Sequence, residues 1–261
     1  MLNEKYDIII EGGQSNAEGS GIGPVENEYI ATSKICYLQS KKSVDLDESG
    51  LRIEYADQPF LLEQADEPIV NGNKRGDFAL SFAEDYVKNG LLAADRKILI
   101  IKAAIGGTGF YKGHWGLQDQ VYLKMLEMID YALQLNPENK IVAFLWHQGE
   151  HDAFEGNAPA VYHKQLSDML QSVRARYGVM PFIAGDFVHD WKGKNIQICE
   201  PIIQVIRNVV KENEKSGFVE TDGLLSNAQK IGKKDELHFC REALYTLGHR
   251  YFKEFVQLID D

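Results

Sequence analysis

The chain has 261 residues, 44% of them hydrophobic and 26% charged, the composition of an ordinary folded protein with a sizeable core and a length that suits one α/β domain. Its formal net charge of −11 repels phosphate backbones and anionic lipid, which argues against nucleic acid as a partner; no membrane partner is expected either. The three cysteines, Cys36, Cys199 and Cys240, are scattered without CxxC spacing, so neither a disulfide framework nor a zinc ribbon is expected.

The N-terminal MLNEKYDIIIEGG carries only three isoleucines before Glu11, too short a run for a signal peptide or a membrane span, and on this reading the protein is cytoplasmic. Short apolar runs rich in Ile, Val and Phe follow at 6–10, 97–103, 141–146 and 181–184, with a weaker one near Phe218. They are nearly continuous rather than alternating, as in strands covered on both faces of a parallel sheet. Helical periodicity covers 78–92, 120–135, 158–177, 198–214 and 241–259. In the last, Leu244, Leu247, Tyr251, Phe255 and Leu258 form one apolar stripe. The alternation predicts a single doubly wound α/β domain over residues 1–261, with a mainly parallel sheet of five strands. The polar stretch at about 40–75 is expected as a surface excursion.

Ligands of such sheets sit beyond the carboxyl ends of the strands. The segments there are GGQSNAEGSG, AIGGTGF, HQGEHD and GDFVHD. Ser15 follows the first strand, where free N–H groups of a helix N-terminus would favour a developing oxyanion; alternatively it only caps that helix. His238 stands three residues after Asp235, so the carboxylate can accept from Nδ1 and hold the imidazole as a base, or the pair simply opens a capped helix. Gly106-Gly107-Thr108-Gly109 offers backbone N–H groups or an ordinary flexible turn. Neither it nor GSGIG fits a nucleotide-binding pattern. His147-Gln148-Gly149-Glu150-His151 matches the H-x-x-E-H zinc pattern, but it follows a strand-like run and holds Gly149, which weakens the helix that His147 and His151 would need. Glu150 and Asp152 are expected to brace the loop.

Together GGQSNAEG, IGGTGF, WHQGEHDA and DELHF occur in the order and spacing of the SGNH (GDSL-like) hydrolases, and the chain resembles the branch with sialate O-acetylesterases and the acetylxylan esterases of carbohydrate esterase family six. The resemblance implies a flavodoxin-like three-layer α/β/α sandwich and a serine esterase removing O-acetyl groups from carbohydrate esters, such as acetylated oligosaccharides or sialic acid. It implies Ser15 as nucleophile, Asp235 and His238 as acid and base, and an oxyanion hole from Ser15 N–H, Gly107 N–H and the Gln148 amide. Gln14, Asn16, Gly106, Thr108 and Glu150 are expected to bind substrate or support the site. Ala17 stands where relatives often carry Met, and the run from Phe110 to Trp115 replaces a Trp-containing segment, so Trp115 is expected to shape the pocket. No metal or cofactor is implied. The expected partner is a small acetylated carbohydrate, and self-association into a homo-oligomer stays open. The rival readings are a non-catalytic carbohydrate-binding protein on the same fold and a zinc hydrolase using His147 and His151.

Overall fold

The isoleucine run near the N-terminus becomes the strand on which the site is built. In the computed structural model, which describes residues 4–47, 50–57, 60–232 and 234–260, the chain begins with β1 (Lys5–Gly13), α1 (Ser15–Glu18) and β2 (Ile35–Gln39). The hairpin β3 (Lys42–Asp47) and β4 (Gly50–Tyr55) follows, then β5 (Leu61–Gln64), the short hairpin β6 (Ile69–Val70) and β7 (Asn73–Lys74), and α2 (Phe78–Lys88). The middle holds β8 (Arg96–Lys102), α3 (Gln120–Leu135), β9 (Lys140–His147), α4 (Glu150–Glu155) and α5 (Pro159–Tyr177). The last third holds β10 (Phe182–Gly185), α6 (His189–Lys194), α7 (Ile196–Glu212), β11 (Ser216–Val219), α8 (Asn227–Ile231) and α9 (Arg241–Asp260).

The main sheet has the order β11-β10-β9-β1-β8-β2-β5 and is parallel except for β5, which runs antiparallel on β2. Successive side chains of a strand face opposite ways, and β1 uses both faces. Ile8 and Ile10 enter a core with α3, α5 and α7, while Ile9 enters a second core with α2 and α9. The result is the expected three-layer α/β/α sandwich, with one correction: the sheet has seven strands among the described residues, not five. The segment at 40–75 is also more than a surface excursion. Its β5 extends the sheet, Ile53 and Ala65 are buried, and its hairpins wall one side of a cavity. No helix among the described residues is long and apolar enough to cross a membrane.

Strands β2 and β8 lie on one side of β1, and β9, β10 and β11 on the other. A crevice therefore opens at the carboxyl end of β1, where the winding changes direction. Gly13 closes that strand at φ +136°, and a Cβ there would stand 2.1 Å from the carbonyl oxygen of His147. Only glycine permits so close an approach of β1 to the end of β9. It delivers Ser15 to the floor of the crevice.

Candidate active site

Ser15 is the first residue of α1, and its hydroxyl does not cap the helix. The Oγ atom lies 2.8 Å from Nε2 of His238. On the far side of the ring, Nδ1 lies 2.8 Å from Oδ1 of Asp235, and the His238 backbone N–H reaches the same oxygen at 3.3 Å. Asn227 donates its Nδ2 to the other oxygen, Oδ2, at 2.8 Å. Burial alone would raise the Asp235 pKa, but hydrogen bonds from His238 and Asn227 outweigh it and hold the carboxyl below its ordinary range. An ionised Asp235 fixes the tautomer with its proton on Nδ1, leaving Nε2 to accept from Ser15. The chain Asp235–His238–Ser15 is thus an orienter, a base and a hydroxyl within proton-transfer distance.

Asn16 ties the two halves of this assembly together. Its Nδ2 donates to Oε1 of Glu150 (2.8 Å) and to the Leu237 carbonyl (3.2 Å), and its Oδ1 accepts from the Phe239 N–H (3.1 Å). The residue next to Ser15 therefore grips both neighbours of His238. Asn227 was not singled out in the sequence. Its signal there is faint, since it reads only as the first residue after the Ser226 cap of a five-residue helix.

The turn after β8 brings Gly106 against the nucleophile: a Cβ on Gly106 would meet the Cβ of Ser15 at 3.4 Å. The Gly106 N–H is already committed to Oε2 of Glu18, at 2.8 Å. Gly107, at φ +74°, leaves its N–H without an acceptor among the described residues, as does the N–H of Ser15 itself. Both backbone donors are therefore free to meet an oxyanion beside Ser15. Glu18 also pairs with Lys42 of β3 at 3.3 Å, so one carboxylate fastens both the glycine turn and the neighbouring hairpin.

Two expected contributors to the pocket lie elsewhere. Gln148 is buried, and its Nε2 donates to Asp152 (2.6 Å), with Gln14 Oε1 and the Thr108 carbonyl at 3.3 and 3.4 Å, while its Oε1 accepts from Tyr162. With its amide hydrogens taken up by these three acceptors, Gln148 braces the site from beneath and is not placed as an oxyanion donor. Trp115 is fully buried, donates its Nε1 to Thr108 Oγ1 at 2.9 Å and packs edge-on against Trp146. It supports the turn and does not touch substrate space. Thr108, equally buried, passes the contact on to the Ile105 carbonyl.

Gln14 Oε1 accepts from the His151 N–H at 3.0 Å, which joins the first block to α4. Asp152 accepts from the N–H groups of Phe110 and Tyr111 and from Asn157, a brace for the turn after β8. Glu150 is buried, and burial raises its pKa against the opposing bond from Asn16. His147 closes strand β9 with no exposure, and burial pushes its pKa down to about 3, so the ring is neutral. His147 on a strand and His151 on the next helix do not share a helical face, which overturns the zinc-peptidase geometry. Among the described residues no three His, Cys, Asp or Glu side chains cluster as metal ligands.

Above Ser15 and His238 opens a cavity of about 500 Å³. Its floor carries Gly106 and Gly107, and its walls include Phe154, Trp191 and Leu237. Phe154 is 71% exposed. A polar floor below aromatic and aliphatic walls suits an acyl group and a sugar with apolar faces.

The profile of the family described as "Carbohydrate esterase, sialic acid-specific acetylesterase" matches residues 5–257. None of the curated proteins matches the chain. Among solved structures, NanS is similar at 19% identity and TM-score 0.76, with 100% of this chain and 99% of that chain covered. A protein from Arabidopsis thaliana is similar at 20% identity and TM-score 0.67, with 97% and 98% covered. A family 3 carbohydrate esterase from Clostridium thermocellum aligns at 12% identity and TM-score 0.52, with 98% of each chain covered. These structural likenesses speak for the fold.

Proposed function

The chain belongs to the sialic acid-specific acetylesterase family of carbohydrate esterases, carboxylic ester hydrolases that deacetylate carbohydrates, and we propose that it does so through an acetyl-Ser15 intermediate. The observation that carries this reading is the unbroken line of two 2.8 Å contacts from Asp235 through His238 to Ser15. His238 Nε2 takes the Ser15 proton as Oγ attacks the acetyl carbonyl, and Asp235 stabilises the imidazolium. The N–H groups of Ser15 and Gly107 receive the oxyanion, each such donor contributing about 3–4 kcal/mol in the transition state. As the tetrahedral intermediate collapses, the C–O bond to the sugar breaks and His238 returns the proton to the leaving hydroxyl. Water then attacks the acetyl-enzyme by the same route, its proton passing through His238, and acetate and free Ser15 are released.

The proposed substrate is a small acetylated carbohydrate bound in the cavity above Ser15. The deciding experiment compares wild type with Ser15→Ala in acetate release from p-nitrophenyl acetate, folding being checked by circular dichroism. Activity in the wild type and none in a folded variant is the expected outcome. Retained activity in the variant would remove Ser15 from the mechanism.

A further inference from the structure

Among the described residues no lysine or arginine lines the catalytic cavity; its ionisable lining is Glu18, Glu150, His151 and His238. A second cavity of about 610 Å³ adjoins it and shares Glu18 and Ser20 as a common wall. Three cations line this second space: Lys42, Lys102 and Arg75. Lys42 is engaged by Glu18 at 3.3 Å. Lys102 lies between Glu11 at 2.5 Å and Asp77 at 2.7 Å. Arg75 differs from both. Its guanidinium makes one hydrogen bond, from Nη1 to the Ser20 carbonyl at 2.9 Å, and pairs with no carboxylate among the described residues.

We infer that Arg75 is the anchor for a substrate carboxylate, so that an O-acetylated sugar acid lies across the Glu18–Ser20 wall with its ester at Ser15 and its carboxylate on the guanidinium. This inference rests on the esterase reading of the Ser15 cavity and assigns to it a residue that selects for the acid group of the substrate. Arginine has five N–H donors in a planar fork, and the one bond to Ser20 leaves the Nε–Nη2 edge free for bidentate capture. The side chain stands on a fixed base. Arg75 N–H bonds to the Pro68 carbonyl and Gly76 N–H to the Gly21 carbonyl, each at 2.9 Å. Gly19 approaches Gly76 so closely that a Cβ would meet its carbonyl oxygen at 2.7 Å. Ser20 in turn donates its N–H to the Ser15 carbonyl at 3.1 Å. The guanidinium is therefore held in register with the nucleophile through two hydrogen bonds.

The acidic residues around this cavity do not cancel the cation. Glu18 and Asp77 are matched by Lys42 and Lys102, and Glu67 is held by Arg241 through Nε at 2.9 Å and a second bond from Nη2. Glu63 and Asp66 remain without a cation, but both are exposed, where water and salt screen them. Of the three cations that line the cavity, Arg75 is the one without a carboxylate partner among the described residues.

The test measures acetate release from an O-acetylated sialic acid, from its C1 methyl ester and from p-nitrophenyl acetate. Wild type, Arg75→Gln, Arg75→Lys and Ser15→Ala are compared. Arg75→Gln should raise KM for the free acid on the order of 10- to 100-fold, the worth of a hydrogen-bonded charge pair. It should leave kcat, the methyl ester and p-nitrophenyl acetate within about twofold, and Arg75→Lys should recover part of the loss. Wild type that treats acid and methyl ester alike would overturn the inference, as would an Arg75→Gln loss equal on all substrates. Activity in Ser15→Ala would instead sink the serine mechanism, while the ratio of acid to methyl ester still decides the role of Arg75.

Discussion

At the residue scale, the reactive groups were legible because each carries its own chemistry: Ser15 after a glycine pair, Asp235 three residues before His238. What the sequence hid was the direction in which buried amides point. Gln148 turns its Nε2 to Asp152 because that carboxylate, two backbone N–H groups and Asn157 form one satisfied buried network, and an amide pulled out of it would leave polar groups orphaned. Glu18 escaped notice for the opposite reason, since an acidic residue in a first helical turn reads as ordinary surface. Its bond to Gly106 gives it a positioning role, and Glu18→Ala should lower kcat about 10- to 100-fold, short of the loss of a whole oxyanion donor. KM should hardly move, and Glu18→Gln, which keeps an acceptor for the Gly106 N–H, should retain most of the rate. An equal loss in both variants would assign the effect to charge and not to the hydrogen bond. Asp235→Asn tests the orienter. Its amide would press the His238 proton onto Nε2, and kcat should fall about 10⁴-fold, as in other triads with a mis-set tautomer, with the fold intact. Near-normal turnover would leave Ser15 and His238 as a dyad.

At the scale of elements, all five apolar runs became strands of the sheet and all five periodic segments became helices, because two-sided burial and a 3.6-residue stripe are strong signals. The two strands that escaped lie toward one edge. Strand β5 has three of its four residues exposed, so it lacks the doubly buried pattern, and β2, though buried at four of its five residues, runs directly into the polar stretch that reads as surface. Helices α1, α4, α6 and α8, four to six residues each, are too short for periodicity to register. Contact between the longer helices also contains information no pattern shows. Gly248 in α9 faces α2 so closely that a Cβ would lie 2.1 Å from the Phe78 carbonyl oxygen and 2.7 Å from the Cβ of Ser81. In an open helix Gly→Ala gains about 1 kcal/mol. Here that gain is outweighed by prising α2 from α9, and Gly248→Ala should cost about 2 kcal/mol or more in urea denaturation. A stabilised variant would mean that the two helices part without penalty.

At the scale of the whole molecule, an excess of 11 acidic over basic residues, 39 against 28, suggests that titration of surface carboxylates governs stability in acid. The buried groups argue for a more specific pH dependence. His147 has an ordinary pKa of 6.5 and a folded value of about 3, so below pH 6.5 the unfolded chain takes up a proton that the folded ring refuses. Stability from this group is therefore lost as pH falls, by about 1.4 kcal/mol per unit, or about 2 kcal/mol between pH 7 and pH 5. Glu11 and Glu150 act with the opposite sign, since burial raises both in the folded state and folding then binds protons that the unfolded chain does not hold at pH 5. The sum hides each contribution, but a comparison of variants separates them. His147→Gln should be less stable than wild type at pH 7, through lost packing against Phe78, Phe239 and Tyr251. Its deficit should shrink by about 2 kcal/mol at pH 5, because the variant has no imidazole to protonate. A deficit that stays constant with pH would show that His147 accepts its proton inside the fold, with Glu150 Oε1, 3.6 Å away, as the counter-charge. His147 and Glu150 would then form a buried ion pair in acid, and the ring would not be a neutral strut.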